Sequence, residues 1–204
     1  AYLSFADYFF KKNDLDNAEK FYDLVLKFPR ASIYPYGLYK KGWVYLNQER
    51  PQDALETFLK VAQITEGKKK SKTINKAAKK DFVRAYAAVG GAEKAHQAFQ
   101  RVDKGYAFNM LKILGGIYLD QGAADKAIFT CRELIGIKSK DPDVCEWQGN
   151  VLNAMLSAGN QKQKSDEIVN LVKIYLAHKK AGILKGGKLE ECRDNAQGTT
   201  SEMA

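Results

Sequence analysis

The sequence predicts an all-α protein, an α-solenoid of about five stacked antiparallel helix-turn-helix hairpins. Three observations predict it. Only four of 204 residues are proline, and 45% are hydrophobic and 28% charged, an ordinary globular composition that leans towards helix. One residue pattern then recurs along the chain: an apolar helix with a small residue and an aromatic three apart, a turn, then Ala with an aromatic four later. Finally, the recurring alanines, Ala18, Ala54, Ala95 and Ala127, lie 36, 41 and 32 residues apart, the period of a helical repeat.

The first hairpin runs from Phe5, Ala6 and Phe9 through Asn13-Asp14 to Ala18 and Tyr22. The second has Gly42 and Tyr45, then Arg50-Pro51, then Ala54 and Phe58. In the third, Val83 and Tyr86 lead through Gly90-Gly91 to Ala95 and Phe99. In the fourth, Leu111, Leu114, Gly115 and Tyr118 lead through Gln121-Gly122 to Ala127, with Cys131 in the aromatic slot. A fifth, eroded unit has Val151, Leu152 and Met155, a Gly159-Asn160 turn, and Lys164 in place of the alanine, followed by Ile168 and Leu171.

Those residue types answer a packing problem. Small residues on both helices let two backbones approach at the crossing, and the aromatics fill the space between neighbouring hairpins. Turns need Gly or Asn where φ is positive. Asp16, Asp53 and Asp125 fall near the starts of second helices, where a carboxylate favours the helix dipole. The units are expected at about 1–30, 35–66, 73–104, 107–140 and 143–178. Residues 181–204 are expected to hold the start of a truncated further helix and, from about Gly198, a disordered tail. The Lys-rich stretch Glu66–Thr73 accounts for the longest spacing and reads as an exposed connection. The chain begins at Ala1 with a helical pattern almost at once, as expected of a piece of a longer protein.

This pattern resembles the tetratricopeptide repeat, W-x2-L-G-x2-Y, then A-x3-F, then P, over about 34 residues. The resemblance covers about residues 1–178 and is clearest in the second and fourth units. It implies a right-handed solenoid, no catalysis, and a concave surface lined by the first helices that takes a partner's peptide or helix. On that register, Tyr36, Tyr39, Trp43 and Asn47 line the surface from the second unit, falling at i, i+3, i+7 and i+11 on one helical face. Lys80 and Arg84 come from the third unit, Asn109 and Lys112 from the fourth, and Asn153 from the fifth. Aromatics beside cations and amides imply a peptide carrying an acidic group and a large apolar side chain. A second copy of the chain is also among the partners such a surface admits. The family's clamp for a C-terminal carboxylate uses Lys and Asn where this chain has Leu3 and Asp7, so that specificity is not expected. The segment Tyr34-Pro35-Tyr36-Gly37-Leu38-Tyr39-Lys40-Lys41-Gly42-Trp43 resembles bacterial envelope versions of the repeat, which favours a periplasmic home over a cytosolic one.

No chemistry competes strongly with binding. His96 and His178 lie in different units without metal-like spacing, and neither Gly90-Gly91 nor Gly186-Gly187 has the context of a phosphate loop, so neither metal nor cofactor is expected. Cys131, Cys145 and Cys192 match no metal-ligand spacing and read as buried or idle thiols rather than a disulfide framework. Apolar stretches fall short of the roughly 20 residues of a membrane span. The net charge of +9 offers the alternative function, docking on nucleic acid or anionic membrane through segment 68–84, with Lys68, Lys69, Lys70 and Lys72 as candidate anion contacts. Aromatics interleaved for base stacking are absent between Gly67 and Phe82.

Overall fold

The computed structural model describes residues 1–158 and 160–201, without the side chains of 156–158 and 198–201. Among these residues it is all-α, as expected, with eleven helices and no strand. They are α1 (Tyr2–Lys11), α2 (Leu15–Leu26), α3 (Tyr34–Asn47), α4 (Pro51–Thr65), α5 (Lys72–Val89), α6 (Ala95–Val102), α7 (Ala107–Asp120), α8 (Ala124–Ile137), α9 (Val144–Ala158), α10 (Gln161–Lys180) and α11 (Gly187–Ser201). Single 3₁₀ turns, Lys69–Ser71 and Ala92–Lys94, precede α5 and α6. The chain divides into two compact units, Ala1–Met110 and Leu111–Ala204, with the boundary inside α7.

In the first unit α1–α2 and α3–α4 pack as antiparallel pairs, α2 packs on α3, and α4 on α5. The alanines at the crossings, Ala18, Ala54 and Ala95, are fully buried, as are the aromatics one turn later, Tyr22, Phe58 and Phe99. Each such ring contributes about 1.5–3 kcal/mol by leaving water. Gly42 shows why a small residue is needed: a Cβ there would lie 2.7–3.0 Å from three ring atoms of Phe58. Phe99 seats α6 on α5 through edge contacts with Phe82 and Tyr86, at centroid distances of 6.2 and 5.1 Å.

Helix starts follow the expected chemistry. Asp14 caps α2 by accepting from the Asn17 amide at 3.2 Å, and Asp16, Asp53 and Asp125 sit in the first turns of α2, α4 and α8. The turns are less uniform than expected. Asn13 and Gly122 have positive φ (59° and 66°), but in the second turn Glu49 takes that conformation, at 58°. Gly90 and Gly91 have φ of −96° and −87°, so the left-handed region does not explain them. Gly90 is small because the Tyr86 ring lies against it, and the Tyr86 hydroxyl donates to the Gly91 carbonyl at 3.0 Å.

In the second unit the Leu111–Asp120 part of α7 packs on α8, where Gly115 places its would-be Cβ 3.5 Å from Thr130. α8 packs on α9, α9 on α10, and α11 on both α9 and α10. Asn160 and Gln163 form a reciprocal capping box at the start of α10, with bonds of 2.9 and 3.0 Å. Gly159, expected in that turn, lies outside the described residues.

Two readings of the cysteines and the C-terminal segment change. Cys145 on α9 and Cys192 on α11 form a disulfide with Cα atoms 5.7 Å apart, correcting the expectation of idle thiols. It sits among Leu152, Ile168, Leu171, Leu184 and Ala196, a core contributed by α9, α10, α11 and the link between the last two. Cys131 alone is a free thiol, buried, its pKa pushed up to about 11 by burial and by the nearby Glu146 carboxylate. The helix that was expected to begin after 181 extends through Gly198 to Ser201, and residues 202–204 lie outside the described residues.

Candidate functional site: the faces of the first helices

The proposed groove residues divide between the units. Tyr36, Tyr39, Trp43, Asn47, Lys80, Arg84 and Asn109 belong to the first, Lys112 and Asn153 to the second.

In the first unit α3 and α5 lie side by side, and one carboxylate organises their shared face. Asp81 is 4% exposed. Its Oδ2 accepts from the Tyr39 hydroxyl at 2.6 Å and from Trp43 Nε1 at 3.2 Å, and its Oδ1 accepts from the Arg84 guanidinium at 2.9 Å. The guanidinium carbon stands 5.1 Å above the Trp43 ring, in cation–π range. Burial, with the bond to Asp81, pushes the Tyr39 phenol up to about 12. The arrangement ties Trp43 and Arg84 to one carboxylate while leaving Arg84 exposed and Trp43 half-buried. Tyr39 and Trp43 also pack on Phe58, at centroid distances of 5.7 and 6.4 Å.

Around this centre, Tyr36 is 40% exposed and Asn47 donates to the Trp43 carbonyl at 2.7 Å. Burial and the charge of Asp7 on α1 raise the Tyr36 phenol. Asp7 itself accepts from the Tyr22 hydroxyl at 2.6 Å. Lys80 and Asn109 are exposed. Asp81 escaped the sequence reading because its partners on α3 lie 38 and 42 residues away. Its presence changes the electrostatics: Arg84 arrives already paired, so in this unit Lys80 carries the uncompensated charge of the two predicted cations.

The second unit builds a related contact. Lys112 on α7 donates to Asp143 at 2.6 Å and lies 5.6 Å from the centre of the Trp147 ring. Asp143 also pairs with Lys188 of α11. Trp147 is 3% exposed and was not singled out from sequence. Asn153 is exposed.

The lysine-rich segment does not act as one stripe. Lys68, Lys69, Lys70 and Lys72 are exposed, but Lys79 is buried and bonds Glu66 at 2.7 Å and Asp103 at 2.5 Å. Burial alone would lower the Lys79 ammonium; the two carboxylates outweigh it and its pKa is raised. The bond to Lys79 correspondingly lowers Asp103 and Glu66. In the second unit Glu167 is the buried charge, held by Gln148 at 2.6 Å and Arg132 at 2.5 Å. Among the described residues there is no cluster of three or more metal-binding side chains, and no helix is long and apolar enough to cross a membrane.

A tetratricopeptide repeat family model matches residues 80–142. A solved structure from Podosopora anserina, named as a kinesin light chain with nearly identical TPR-like repeats, aligns at 15% identity with a TM-score of 0.48, covering 85% of this chain and 92% of that one. A variant of that protein gives 15% identity and 0.47, covering 88% and 95%. No curated protein sequence matches the chain. The family match thus runs from within α5 to just past α8, the part of the chain that holds Ala95, Phe99 and Ala127.

Proposed function

We propose that the chain is a non-catalytic scaffold that holds a partner protein's peptide or helix against the faces of its first helices and so organises a multiprotein complex. Repeats of this family generally mediate protein–protein interaction, which is the coarse part of the reading. The observation that supports the finer part is the Asp81-centred group. A Trp and an Arg, two residue types in which binding energy concentrates, are locked in place by a buried acid next to the exposed Tyr36. Pre-ordering of this kind lowers the entropy lost on binding. The cationic neighbour Lys80 supports a ligand with an acidic group, and the exposed face of Tyr36 supports an apolar one.

Docking on nucleic acid or anionic membrane through 68–84 is the weaker reading, because Lys79 and Arg84 are consumed within the fold. The Cys145–Cys192 bond supports an oxidising compartment, in keeping with a bacterial envelope setting.

The test pairs Tyr36→Ala with Arg84→Ala, both at exposed positions. A partner captured from native extract and identified by mass spectrometry is then titrated directly against parent and variant. We expect at least tenfold weaker binding, about 1.4 kcal/mol. Equal affinity for parent and a still-helical variant would remove the site from this face.

A further inference from the structure

The connections entering α3 and α5 enclose a cleft of ≈1070 Å³ that the sequence does not announce. Its rim carries Arg30, from the link after α2, together with Lys68, Lys69 and Lys70, from the link after α4. These four cations are exposed, have no acidic residue among the cleft's lining, and take part in no ion pair among the described residues. The floor is apolar, formed by half-buried Tyr34, Pro35 and Ile64, with the exposed Pro29 beside them. Two helix N-termini open onto it: neither Ile33 before α3 nor Ser71 before α5 makes a side-chain cap, so the positive ends of both dipoles add to the same potential.

We infer that this cleft is a second binding site, distinct from the face of the first helices, and that its ligand is an acidic segment of a protein chain with aliphatic residues between its carboxylates. Charge selects an anion, since four cations converge from two links that are 38 residues apart between Arg30 and Lys68. The floor selects protein over nucleic acid. Two prolines and an isoleucine offer aliphatic side chains an apolar surface but offer bases only one ring, Tyr34, to stack on. Its concavity disfavours a lipid surface.

The probe is a fluorescein-labelled dodecapeptide with the repeat Glu-Leu-Glu-Pro, followed by fluorescence anisotropy at 0.15 M salt (a Debye length of about 8 Å). Single-stranded dT12 and vesicles of phosphatidylserine and phosphatidylcholine serve as competing anions. We expect the peptide to bind and the variant Arg30→Glu/Lys69→Glu to weaken it at least tenfold. The charge-matched control Lys162→Glu/Lys173→Glu, at exposed positions on α10, should change it less than twofold. The Ile64 methyl resonance should shift with peptide and not with dT12. Equal weakening in the control, tighter binding of dT12 or of vesicles than of peptide, or an unmoved Ile64 methyl would each overturn the assignment. The Ile64 shift should be lost in Arg30→Glu/Lys69→Glu and kept in Lys162→Glu/Lys173→Glu, which ties the peptide to this cleft rather than to the face proposed above.

Discussion

Replacing Lys79 with methionine removes the ammonium that joins α5 to the C-terminal ends of α4 and α6, and does so at nearly constant volume. The side chain is 6% exposed and holds Glu66 at 2.7 Å and Asp103 at 2.5 Å. Neither carboxylate is stranded by the change. Asp103 keeps the amides of Gly105 and Tyr106 at 2.9 and 3.1 Å, and Glu66 keeps Asn75 at 3.3 Å with most of its surface in water. The loss is therefore smaller than the roughly 3–5 kcal/mol of a broken buried pair. Two charge-assisted bonds, set against the cost of desolvating one ammonium, leave about 2 kcal/mol at pH 7. The pH dependence carries the sharper signature. Glu66 and Asp103 titrate below their ordinary values of 4.5 and 3.8, so they stabilise the fold above that range and lose this contribution as pH falls through their lowered values. Lys79 titrates above 10.5, so its contribution is intact at neutral pH and is lost only in strong alkali. Urea unfolding followed by Trp43 fluorescence, with Trp147→Phe in both proteins, reads the first unit alone. The gap between parent and Lys79→Met should be about 2 kcal/mol at pH 7 and close in acid, as pH falls through the lowered values of Glu66 and Asp103. A gap that is the same in acid as at pH 7, or a methionine variant more stable at pH 7, would refute the assignment.

Three further outcomes follow from the fold. Cys192→Ser opens a loop of 47 residues, for which chain entropy gives about 4 kcal/mol, and Trp147 fluorescence during denaturation should report a loss of about 2–4 kcal/mol in the second unit alone. An unchanged Trp147 transition would show that the bond adds nothing. Gly42→Ala gains about 1 kcal/mol of helix propensity but drives a methyl into the Phe58 ring, so we expect net destabilisation of about 1–2 kcal/mol and a lower melting temperature. Glu49→Gly should raise the melting temperature by about 2 °C, because an exposed non-glycine residue at φ 58° costs about 1 kcal/mol or more; a fall would mean the Glu49 side chain contributes more than its backbone strain.

Much of the fold could be read from local pattern, because hairpin packing rests on residues a few positions apart. Ala18, Ala54, Ala95 and Ala127 are each at most 1% exposed, and Tyr22, Phe58, Phe99 and Cys131 fill the slots assigned to them. The turns were less legible. Backbone conformation there answers to neighbours, so Glu49 adopts the left-handed form while Gly90 yields to the Tyr86 ring. The candidate site was half visible. Helical spacing put Tyr36, Tyr39 and Trp43 on one face, but nothing in that spacing could reveal that Asp81 would hold two of them. The same holds for Cys145 with Cys192 and for Arg30 with Lys68–Lys70. Each pairing is made by stacking whole hairpins, and residue types that are unremarkable in sequence acquire their roles only when two links or two helices meet.

The Cys145–Cys192 bond also decides how the second unit would respond to a load. Tension applied between residues on either side of the bridge passes from α9 to α11 through two sulfur atoms and bypasses α10. The 46 residues between the two cysteines, about 160 Å of extended chain, cannot be drawn out while the bond is intact. A helical repeat that would otherwise unspool hairpin by hairpin thus has, at this position, a fixed maximum extension that reduction would release in a single step.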